Sequence, residues 1–587
     1  MILQALYTYY NALSARGEIS PPGWCDAKVS FALDLDEDGT LHGVIPLKYI
    51  PNGGKKEIPQ LLRVPEQVKK TSGVLANFLC ENSSYFLGID NKGNLARSLQ
   101  CFEAARTLHE SVLSDVDSPA ARGVLAFFSR WQPENAASNP ALAEYLDAVM
   151  GSNLVFTVNG RYAQDDPGIQ AAWQSRHAAK AEDAVVGRCL VTGQTAPIAR
   201  LHPAIKGVQG AQPSGASLVS FNADAFESYG HELVDKTGQG LNSPVSENAA
   251  FAYGTVLNRL LTDQEHVQYI GDTAVLCWAE DAEPICQDLF CGAMFGSAPR
   301  RMTQKDLWDT VKALADGTPV NLNGVPLHPE NHFYVLGLAP SAARLSVRFF
   351  LQDTFGNMLT HLLEHYKRLE IVKPSYVEKN DLPLWKLLNE TVNQNSRDKK
   401  ASPPMAGAVA RAILTGGMYP VSLFEQTMMR IRAEQTITYG RAAIIKAFLT
   451  KNDQFHIPEE VLTVELNEQS TYLPYVLGRL FAVLERVQAD ANPGIKATIK
   501  DKYINSASSS PATIFPLLTK LSQSHLRKLN TGLRISYEKR ITELEGRIHQ
   551  TLPAHLSLPE QGAFHLGYYH QVQKLYEKKV KEETDHV

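Results

Sequence analysis

The stretch FYVLGLAPSAARLSVRFFLQ, Phe333–Gln352, contains two strand-like runs, FYVLGLA and RLSVRFFLQ, that are rich in aromatic and branched residues. Similar runs begin at Ser84 (SYFLGI), Asn153 (NLVFTVNG) and Thr273 (TAVLCWA). Helical apolar spacing alternates with these runs, for example from Ala249 to Leu261. The front two-thirds of the chain is therefore predicted to be α+β.

The N-terminal residues add a helix and a hairpin to this prediction. Ile2, Leu6, Tyr9 and Leu13 recur at helical spacing. The stretch KVSFALDLDEDGTLHGVIPL alternates apolar and polar residues on both sides of an Asp-Gly turn, which indicates a β-hairpin. Its DLDEDG segment matches the start of a calcium loop, but Ile45 stands where that loop needs a carboxylate. We therefore interpret it as a turn.

Beyond a charged, proline-marked break near residues 396–404, the apolar spacing becomes almost wholly helical. The predicted helices are Ala406–Leu414, Ser422–Arg432, Tyr439–Thr450, Tyr472–Ala489, Pro511–Leu529, Leu533–Leu552 and Pro559–Lys579. The predicted fold class is α+β, a mixed α/β N-terminal region (residues 1–395) followed by an all-α helical bundle (residues 404–587).

Composition limits the functional classes. The chain has 587 residues, of which 44% are hydrophobic and 20% charged, as in globular proteins, and this length suggests roughly two to four domains. A net charge of −5 gives no overall field that would attract a polyanion, so nucleic-acid binding requires local basic patches. The seven cysteines lack zinc-site spacing and are interpreted as reduced thiols. No signal peptide or membrane span is evident, which predicts a cytoplasmic protein.

One motif suggests an enzyme. HLLEH, His361–His365, matches the H-x-x-E-H pattern, in which both histidines hold zinc and Glu364 activates water. The apolar stripe of the same segment favours boundary histidines on an amphipathic helix instead. No P-loop and no G-x-S-x-G elbow occurs. We predict no catalytic residue, metal or cofactor, and we keep a zinc-dependent hydrolase as the alternative.

Basic and amide-rich loops are the candidate DNA-binding sites, because Lys and Arg neutralise phosphates and Asn and Gln read base edges. The segment from Lys48 to Lys70 has six basic residues against two acidic ones, a local charge of +4. Around it and around the loop KGVQGAQPSGA, the candidates are Lys55, Lys56, Lys69, Lys70, Ser72, Asn77, Lys206, Gln209, Gln212, Asn222 and Arg259. Ordinary solvated loops are the alternative interpretation.

Two further segments, Ser220–Gly230 and Lys496–Gln550, contain candidate contact residues. In SFNADAFESYG, Ser220–Gly230, we expect the aromatic residues to pack on a core, which leaves Asn222 as a contact group. The segment from Lys496 to Gln550 contains ten basic and four acidic residues, which gives a local charge of +6. Arg527, Lys528, Lys539 and Arg540 are the strand-binding candidates there, and a solvated helix face is the alternative.

Four stretches together resemble the large subunit of the type I-C CRISPR-associated Cascade complex: MILQALYTYY, SFNADAFESYG, FAYGTVLNRLL and GLAPSAARLSVRFF. The resemblance implies a non-enzymatic subunit of an RNA-guided complex that recognises the protospacer-adjacent motif (PAM) in double-stranded DNA and supports R-loop formation. It also implies four kinds of partner: guide RNA, target DNA, the backbone and small subunits, and a recruited helicase-nuclease.

The resemblance bears on the C-terminal helices as well. In this family a product similar to the small subunit can be translated from an internal start. The last methionines of the chain are Met428 and Met429. A product that begins after them and contains only the last helices would therefore need a non-AUG start codon. The helical region is thus expected to act as a separable module.

Overall fold

The computed structural model describes residues 2–50, 56–68, 73–179, 185–228, 231, 238–296, 302–377, 382–397 and 400–584. These residues divide into two compact units. The first comprises Met1–Ile205 and Ser217–Arg259, and the second comprises Lys206–Ala216 and Leu260–Val587. The break predicted near residues 396–404 lies within the second unit.

The elements up to the end of the first unit are α1 (Ile2–Ala15), β1 (Trp24–Val29), β2 (Phe31–Leu35), β3 (Leu41–Pro46), β4 (Lys48–Tyr49), β5 (Ile58–Pro65), β6 (Cys80–Asn82), α2 (Ser83–Phe86), α3 (Leu95–Leu113), α4 (Pro119–Arg130), α5 (Leu146–Val149), β7 (Asn153–Val158), β8 (Arg161–Tyr162), α6 (Pro167–Ala179), β9 (Val186–Arg188), β10 (Thr195–Pro197), β11 (Ala204–Ile205), β12 (Ala216–Ser217) and α7 (Glu247–Thr262).

Two sheets organise the first unit. One has the strand order β1–β5–β4, and the other has the order β3–β2–β7–β6 with β8 beside β7. The β2–β3 pair is the hairpin predicted around the Asp-Gly turn, and Gly39 takes the positive φ (83°) that the turn requires. Helices α3 and α4 bury aromatic residues such as Phe102, Phe127 and Phe128 against the second sheet. The main core of this unit therefore lies between that sheet and the helices.

The remaining elements are β13 (Gln268–Ile270), β14 (Thr273–Ala279), α8 (Pro284–Phe295), α9 (Gln304–Ala315), β15 (Val320–Leu322), β16 (Val325–Leu327), β17 (His332–Ser341), β18 (Arg344–Thr354), α10 (Phe355–Leu369), α11 (Leu384–Asn389), α12 (Pro403–Leu414), α13 (Val421–Glu434), α14 (Tyr439–Lys451), α15 (Leu473–Ala491), α16 (Ile499–Ser509), α17 (Pro511–Leu526), α18 (Thr531–Glu545) and α19 (Leu558–Thr584).

The second unit joins an antiparallel sheet, β18–β17–β14–β13, to a long series of helices. Phe333–Gln352, the stretch with two strand-like runs, forms the central β17–β18 hairpin. Its register shifts at Gly337, where an added side chain would overlap the Phe349 ring. Glycine is therefore required at this bulge in the hairpin.

Two hydrophobic cores share the helices of the second unit. Helices α8–α14 pack with the sheet in one cluster. Helices α15–α19 form a second cluster, and α15 and α19 also contribute Tyr475 and Tyr569 to the first. Along the chain, the boundary between the two cores falls between α14 and α15, whereas the sequence suggested a break before residue 404. The functional division at that break stays a prediction.

The predicted fold class is confirmed: sheets and helices mix in the N-terminal region, and helices fill the C-terminal region. Two details differ. The SYFLGI run, predicted as a strand, begins with helix α2 because Asn82 caps it, accepting a hydrogen bond from the Ser84 amide. Helix α16 was missed because its sequence is mostly polar, although Thr498 and Asp501 form a capping box at its start. Among the described residues, no helix is long and apolar enough to cross a membrane.

Candidate nucleic-acid interface

The solvent side of the β1–β5–β4 sheet gathers cations from three strands. Residues directly opposite each other in an antiparallel pair project to the same side. Three such pairs share this side of the sheet: Lys28 with Leu61, Arg63 with Asp26, and Lys48 with Pro59. We call Lys28, Lys48 and Arg63 the strand face. Among the paired positions of this face, three carry a positive charge and one, Asp26, a carboxylate, which suits contact with a phosphate backbone.

Individual contacts orient the strand face. The Lys48 ammonium lies 4.7 Å from the centroid of the Phe31 ring, and the Arg63 guanidinium donates a hydrogen bond to the Gly17 carbonyl. Lys28 is exposed and has no ion pair with another described residue. The sequence analysis missed Lys28, which precedes the basic segment. The alternation of buried Ala27 and Val29 with exposed Asp26 and Lys28 is the signal that would have revealed it.

The basic segment itself is described only in part. Lys56 is exposed just before β5. Lys55, Lys69, Lys70 and Ser72 lie outside the described residues. Their assignment to DNA contact therefore rests on the sequence alone.

Asn77, predicted as a base contact, lies inside the fold. Its side chain is buried, with 7% of the residue exposed. The Asn77 carbonyl oxygen accepts from the Val68 amide (2.8 Å), and its amide nitrogen donates to Glu81 (3.0 Å). Because the Asn77 side chain is buried and hydrogen-bonded to the segment that leads into β6, a base edge cannot reach it. Asn77 is a structural residue in this conformation.

The loop Lys206–Ala216 belongs to the second unit. Gly207, Gly210 and Gly215 all have positive φ, and Val208 is buried beneath the loop. A side chain at Gly210 would come within 3.3 Å of Pro340, at the end of β17, so the loop lies close to the β17–β18 hairpin. These contacts give the loop a fixed path rather than that of an open tether.

The polar side chains of this loop face solvent. Lys206, Gln209 and Gln212 are exposed. The side-chain amides of Gln209 and Gln212 make no hydrogen bond with the part of the chain that the structure describes. Two unoccupied amides on a well-defined loop are suited to reading base edges.

The Ser220–Gly230 stretch differs from its prediction. Phe226 is 39% exposed and Phe221 is half-buried, so these aromatics do not form a core, and Tyr229 lies outside the described residues. Asn222 is exposed, as a contact group must be. The aromatic pattern was interpreted as packing because periodicity alone cannot distinguish a buried ring from one on a surface turn.

Arg259 has a partner within the first unit. Its guanidinium donates to the Glu18 carbonyl, and one of its nitrogens lies 3.5 Å from the Glu18 carboxylate. The side chain remains 43% exposed. Arg259 therefore connects α7 to the end of α1, and any phosphate contact would have to compete with Glu18.

Two of the predicted strand-binding residues, Lys539 and Arg540, lie on α18. In α18 the buried residues are Tyr537, Ile541 and Leu544. An α-helix turns by about 100° per residue. Lys539 therefore points away from the core, whereas Arg540 lies at its edge and is partly buried. Lys539 and Arg540 therefore lie on different sides of α18, and a single basic face stays a prediction.

At the α17–α18 junction, Arg527 and Lys528 are both exposed. The Lys528 ammonium donates to the Asn492 side chain at 2.9 Å, whereas Arg527 has no ion pair among the described residues. Of the four predicted positions in the bundle, Arg527, Lys528 and Lys539 are exposed and Arg540 is partly buried.

Residues 6–576 match the protein family described as CRISPR-associated protein (Cas_Csd1). The chain belongs to this family. Among curated proteins, none matches the chain. The match covers both units, so the strand face, the Lys206–Ala216 loop and the helical bundle are all parts of one CRISPR-associated protein, and membership supports a role in CRISPR antiviral defence.

The HLLEH motif of the CRISPR-associated chain does not assemble a metal site. His365 is buried, and its Nδ1 lies 2.6 Å from the Tyr419 hydroxyl. Burial lowers the pKa of His365 to about 3, which keeps the imidazole neutral. His361 Nδ1 lies 3.0 Å from the Leu414 carbonyl, and the exposed Glu364 pairs with Arg368. The described residues contain no cluster of three metal-ligating side chains. Nothing in this geometry favours the zinc hydrolase over boundary histidines of an amphipathic helix.

Proposed function

We propose that this chain is the large subunit of a type I-C Cascade complex, a non-catalytic cytoplasmic protein that recognises the PAM in double-stranded DNA. In this role it supports R-loop formation and recruits the helicase-nuclease, together with guide RNA and the backbone and small subunits. The observation that carries the proposal is the family match over nearly the whole chain. In RNA-guided recognition, base pairing reads the target and the protein reads only a short motif.

The charge distribution supports this role. A mildly acidic chain would repel DNA in general, so local cations have to provide the contacts. The strand face offers phosphate contacts, and Gln209 and Gln212 offer base contacts. Phosphate contacts position a protein, and base contacts give specificity. The two functions are thus separable by mutation.

The proposal is tested by co-expression with guide RNA and the other subunits of the complex, followed by binding to duplexes with and without the candidate motif. We expect co-purification with guide RNA and tighter binding to the motif-bearing duplex. A chain that purifies alone under these conditions, or a complex that binds both duplexes equally, would contradict the proposal.

Neutralising the strand face should weaken DNA binding regardless of the motif. In Lys28→Gln/Lys48→Gln, each lost phosphate contact removes one counterion-release event, so the slope of log affinity against log salt should fall by about 0.9 per contact. Equilibrium binding of the assembled complex at several salt concentrations measures this. Lys92→Gln, which removes another exposed lysine of the first unit, is the control. Equal slopes for wild type and the double variant would remove the strand face from the interface.

Truncating the amide side chains of the Lys206–Ala216 loop should reduce motif discrimination and leave the salt dependence of binding unchanged. We expect Gln209→Ala/Gln212→Ala to lose about 1 to 3 kcal/mol of motif discrimination per lost base contact, while the salt slope stays unchanged because no phosphate contact is lost. The measurement compares affinities for correct and single-mismatch motifs. Gln523→Ala, an exposed glutamine on α17, serves as control. Full discrimination in the double variant would place the motif reader elsewhere.

The helical bundle is proposed to bind a displaced or hybridised strand through its scattered cations. Charge reversal at Arg527, Lys528, Lys539 and Arg540 should weaken strand binding by at least tenfold at low salt, and Arg540 should contribute least because it is partly buried. Binding of the complex to preformed R-loops tests this. Unchanged binding of the fourfold variant would support a solvated helix face instead.

The same helices are proposed to form a separable module resembling the small subunit. A product starting at Met428 would begin inside α13 with a side chain buried in the other core, whereas α15–α19 share their own cluster. A module beginning near α15 is therefore the better-packed unit. Mass spectrometry of the assembled complex should find a C-terminal fragment with that boundary, and its absence would count against the module.

A further inference from the structure

A groove of about 1020 Å³ lies in the second unit between α9 and the C-terminal end of α10. It is lined by Gln304, Lys305, Trp308, Lys312, Leu363, Tyr366, Lys367, Leu369, Glu370, Ile371, Tyr439 and Val464. None of these residues belongs to the strand face, to the Lys206–Ala216 loop or to helices α15–α19. We refer to this site as the α9–α10 groove.

Aromatic side chains form the platform of the groove. The rings of Trp308 and Tyr366 meet edge to face, with centroids 5.3 Å apart. The Tyr366 hydroxyl donates to the Ala293 carbonyl at 2.7 Å, which fixes the ring that supports Trp308. Trp308 is only partly buried, so part of the indole faces the groove. A supported, partly exposed indole is a stacking surface for a planar ring.

Three lysines surround this platform. Lys305 and Lys312 lie on α9, three residues before and four residues after Trp308, so both share its side of the helix. Lys367 extends from α10. All three are exposed and make no ion pair with another residue that the structure describes. Glu370 is the sole carboxylate among the lining residues, which leaves the groove with a charge of +2 in a chain of net charge −5.

We propose that the α9–α10 groove binds a short single-stranded DNA segment, with a base stacked on Trp308 and phosphates held by Lys305, Lys312 and Lys367. Non-specific single-strand sites combine these two features, an aromatic stacking surface and a cationic path for the backbone. The volume is at the upper end of that of sites for small organic ligands, enough for more than one nucleotide. This inference deepens the proposed function, on which it rests.

The lining favours DNA over RNA. Lysines only donate hydrogen bonds, and the floor between them is aliphatic, from Leu363, Ile371 and Val464. A ribose 2′-hydroxyl set against that floor would lose its hydrogen bonds to water unless it reached a lysine, Gln304 or Glu370 of the lining, whereas a deoxyribose has no hydroxyl to lose there. An acidic amphipathic protein segment would also match the charge, but three lysines around an indole fit a regularly spaced phosphate backbone more directly.

The test uses the full-length chain and a fluorescently labelled oligothymidylate probe. We expect Trp308→Leu to weaken binding by about five- to 150-fold, the loss typical of one base–aromatic stack. Lys312→Gln/Lys367→Gln should lower the salt slope by about 0.7 per phosphate contact. The matched control is Trp385→Leu, because Trp385 is a 54% exposed tryptophan of the same unit with the Lys386 ammonium 5.6 Å from its ring centroid. An unchanged thermal midpoint of each variant shows that the fold is intact.

A second readout locates the strand. Photo-crosslinking with 4-thiothymidine in the probe should label peptides from residues 304–312 or 363–371. Crosslinks confined to other peptides, or equal affinities of Trp308→Leu and Trp385→Leu, would overturn the inference. Equal or tighter binding of oligouridylate would overturn the choice of DNA. Groove protection that arises only when a partner protein is added would assign the groove to that protein.

These outcomes separate the inference from the proposed function. A complex that recognises the motif normally while its crosslinks avoid the groove would defeat the groove inference alone. A chain that neither assembles with guide RNA nor binds DNA in any form would defeat the proposed function as well.

Discussion

Alanine at Gly478 or Gly567 is expected to lower the free energy of unfolding by about 3 kcal/mol, the upper part of the range for overpacked cores. These glycines lie where α15 crosses α19. An added methyl group on Gly478 would overlap the Phe564 carbonyl oxygen, and one on Gly567 would overlap the Tyr475 carbonyl oxygen. Because both obstacles are backbone atoms, no side-chain rotation relieves the overlap. The two helices would have to move apart.

The effect should be large because the α15–α19 pair belongs to both cores of the second unit. Val476 and Phe564 pack among the bundle helices, whereas Tyr475 and Leu566 pack with the sheet core. Separating the pair would open contacts on both sides at once. The glycines therefore act where the stability of the bundle and that of the sheet region are linked.

Urea unfolding followed by circular dichroism measures the loss, and Gly532→Ala provides the control. An added methyl group at Gly532, in the first turn of α18, would meet only the Asn530 side chain, at 3.7 Å. Alanine there should be neutral or stabilising by up to about 1 kcal/mol through helix propensity. If Gly478→Ala and Gly532→Ala had the same midpoint, the close approach of α15 and α19 would be refuted.

Local patterns predicted most elements of this fold. TAVLCWA is strand β14 without a residue of error, and the apolar spacing from Ala249 to Leu261 lies inside α7. These succeed because alternation and helical spacing record which side of an element is buried. SYFLGI failed since Asn82 offers a cap that overrides the strand preference of the aromatic residues. The boundary between the two helical cores was not visible, because a sequence pattern shows that a helix is buried but not against which neighbour.

The candidate sites were harder to predict for the same reason. Lys28 belongs to the strand face because β1 pairs with β5, and this pairing joins residues that are far apart in sequence. The Asn77 side chain is buried and hydrogen-bonded to Val68 and Glu81, which its place in a polar loop sequence does not show. The α9–α10 groove requires two helices that are separated by some 40 residues of intervening chain. A sequence reveals the residue types available for binding, and tertiary contacts decide which of them remain accessible together.

The stability of the second unit should fall as the pH rises above about 6.5, because of His266. Its Nδ1 lies 2.6 Å from an Asp263 carboxylate oxygen, and its Nε2 lies 2.8 Å from an Asp288 carboxylate oxygen. The two ring nitrogens can donate at the same time only when the imidazole is protonated to imidazolium. Burial lowers the pKa of His266, but the two carboxylate hydrogen bonds outweigh burial and raise the pKa to about 10.

The direction of the effect follows from proton linkage. The pKa of an unfolded histidine is about 6.5, so the folded state binds the proton more tightly than the unfolded state. The stabilisation is complete below pH 6.5 and is lost as the pH rises toward 10, at up to about 1.4 kcal/mol per pH unit. Burial raises the pKa of Asp263, but the hydrogen bond and charge of His266, together with backbone hydrogen bonds from Glu265 and His266, outweigh burial and lower the pKa. Its contribution is present above the usual carboxyl pKa and lost in acid, so this site is most stabilising between those limits.

Replacing His266 with glutamine removes the titrating proton but retains one amide donor. We expect His266→Gln to be less stable than wild type at pH 6 and to show a flatter decline in stability from pH 6.5 to 9.5, as measured by urea unfolding at each pH. His42→Gln, at an exposed histidine on β3, should leave the wild-type profile unchanged. Parallel profiles for wild type and His266→Gln would show that the imidazolium is not the source. The segment that His266 helps to hold leads into β13, whose Tyr269 hydroxyl donates to the Gly207 carbonyl. Loss of the His266 proton should therefore loosen the support of the loop that carries Gln209 and Gln212.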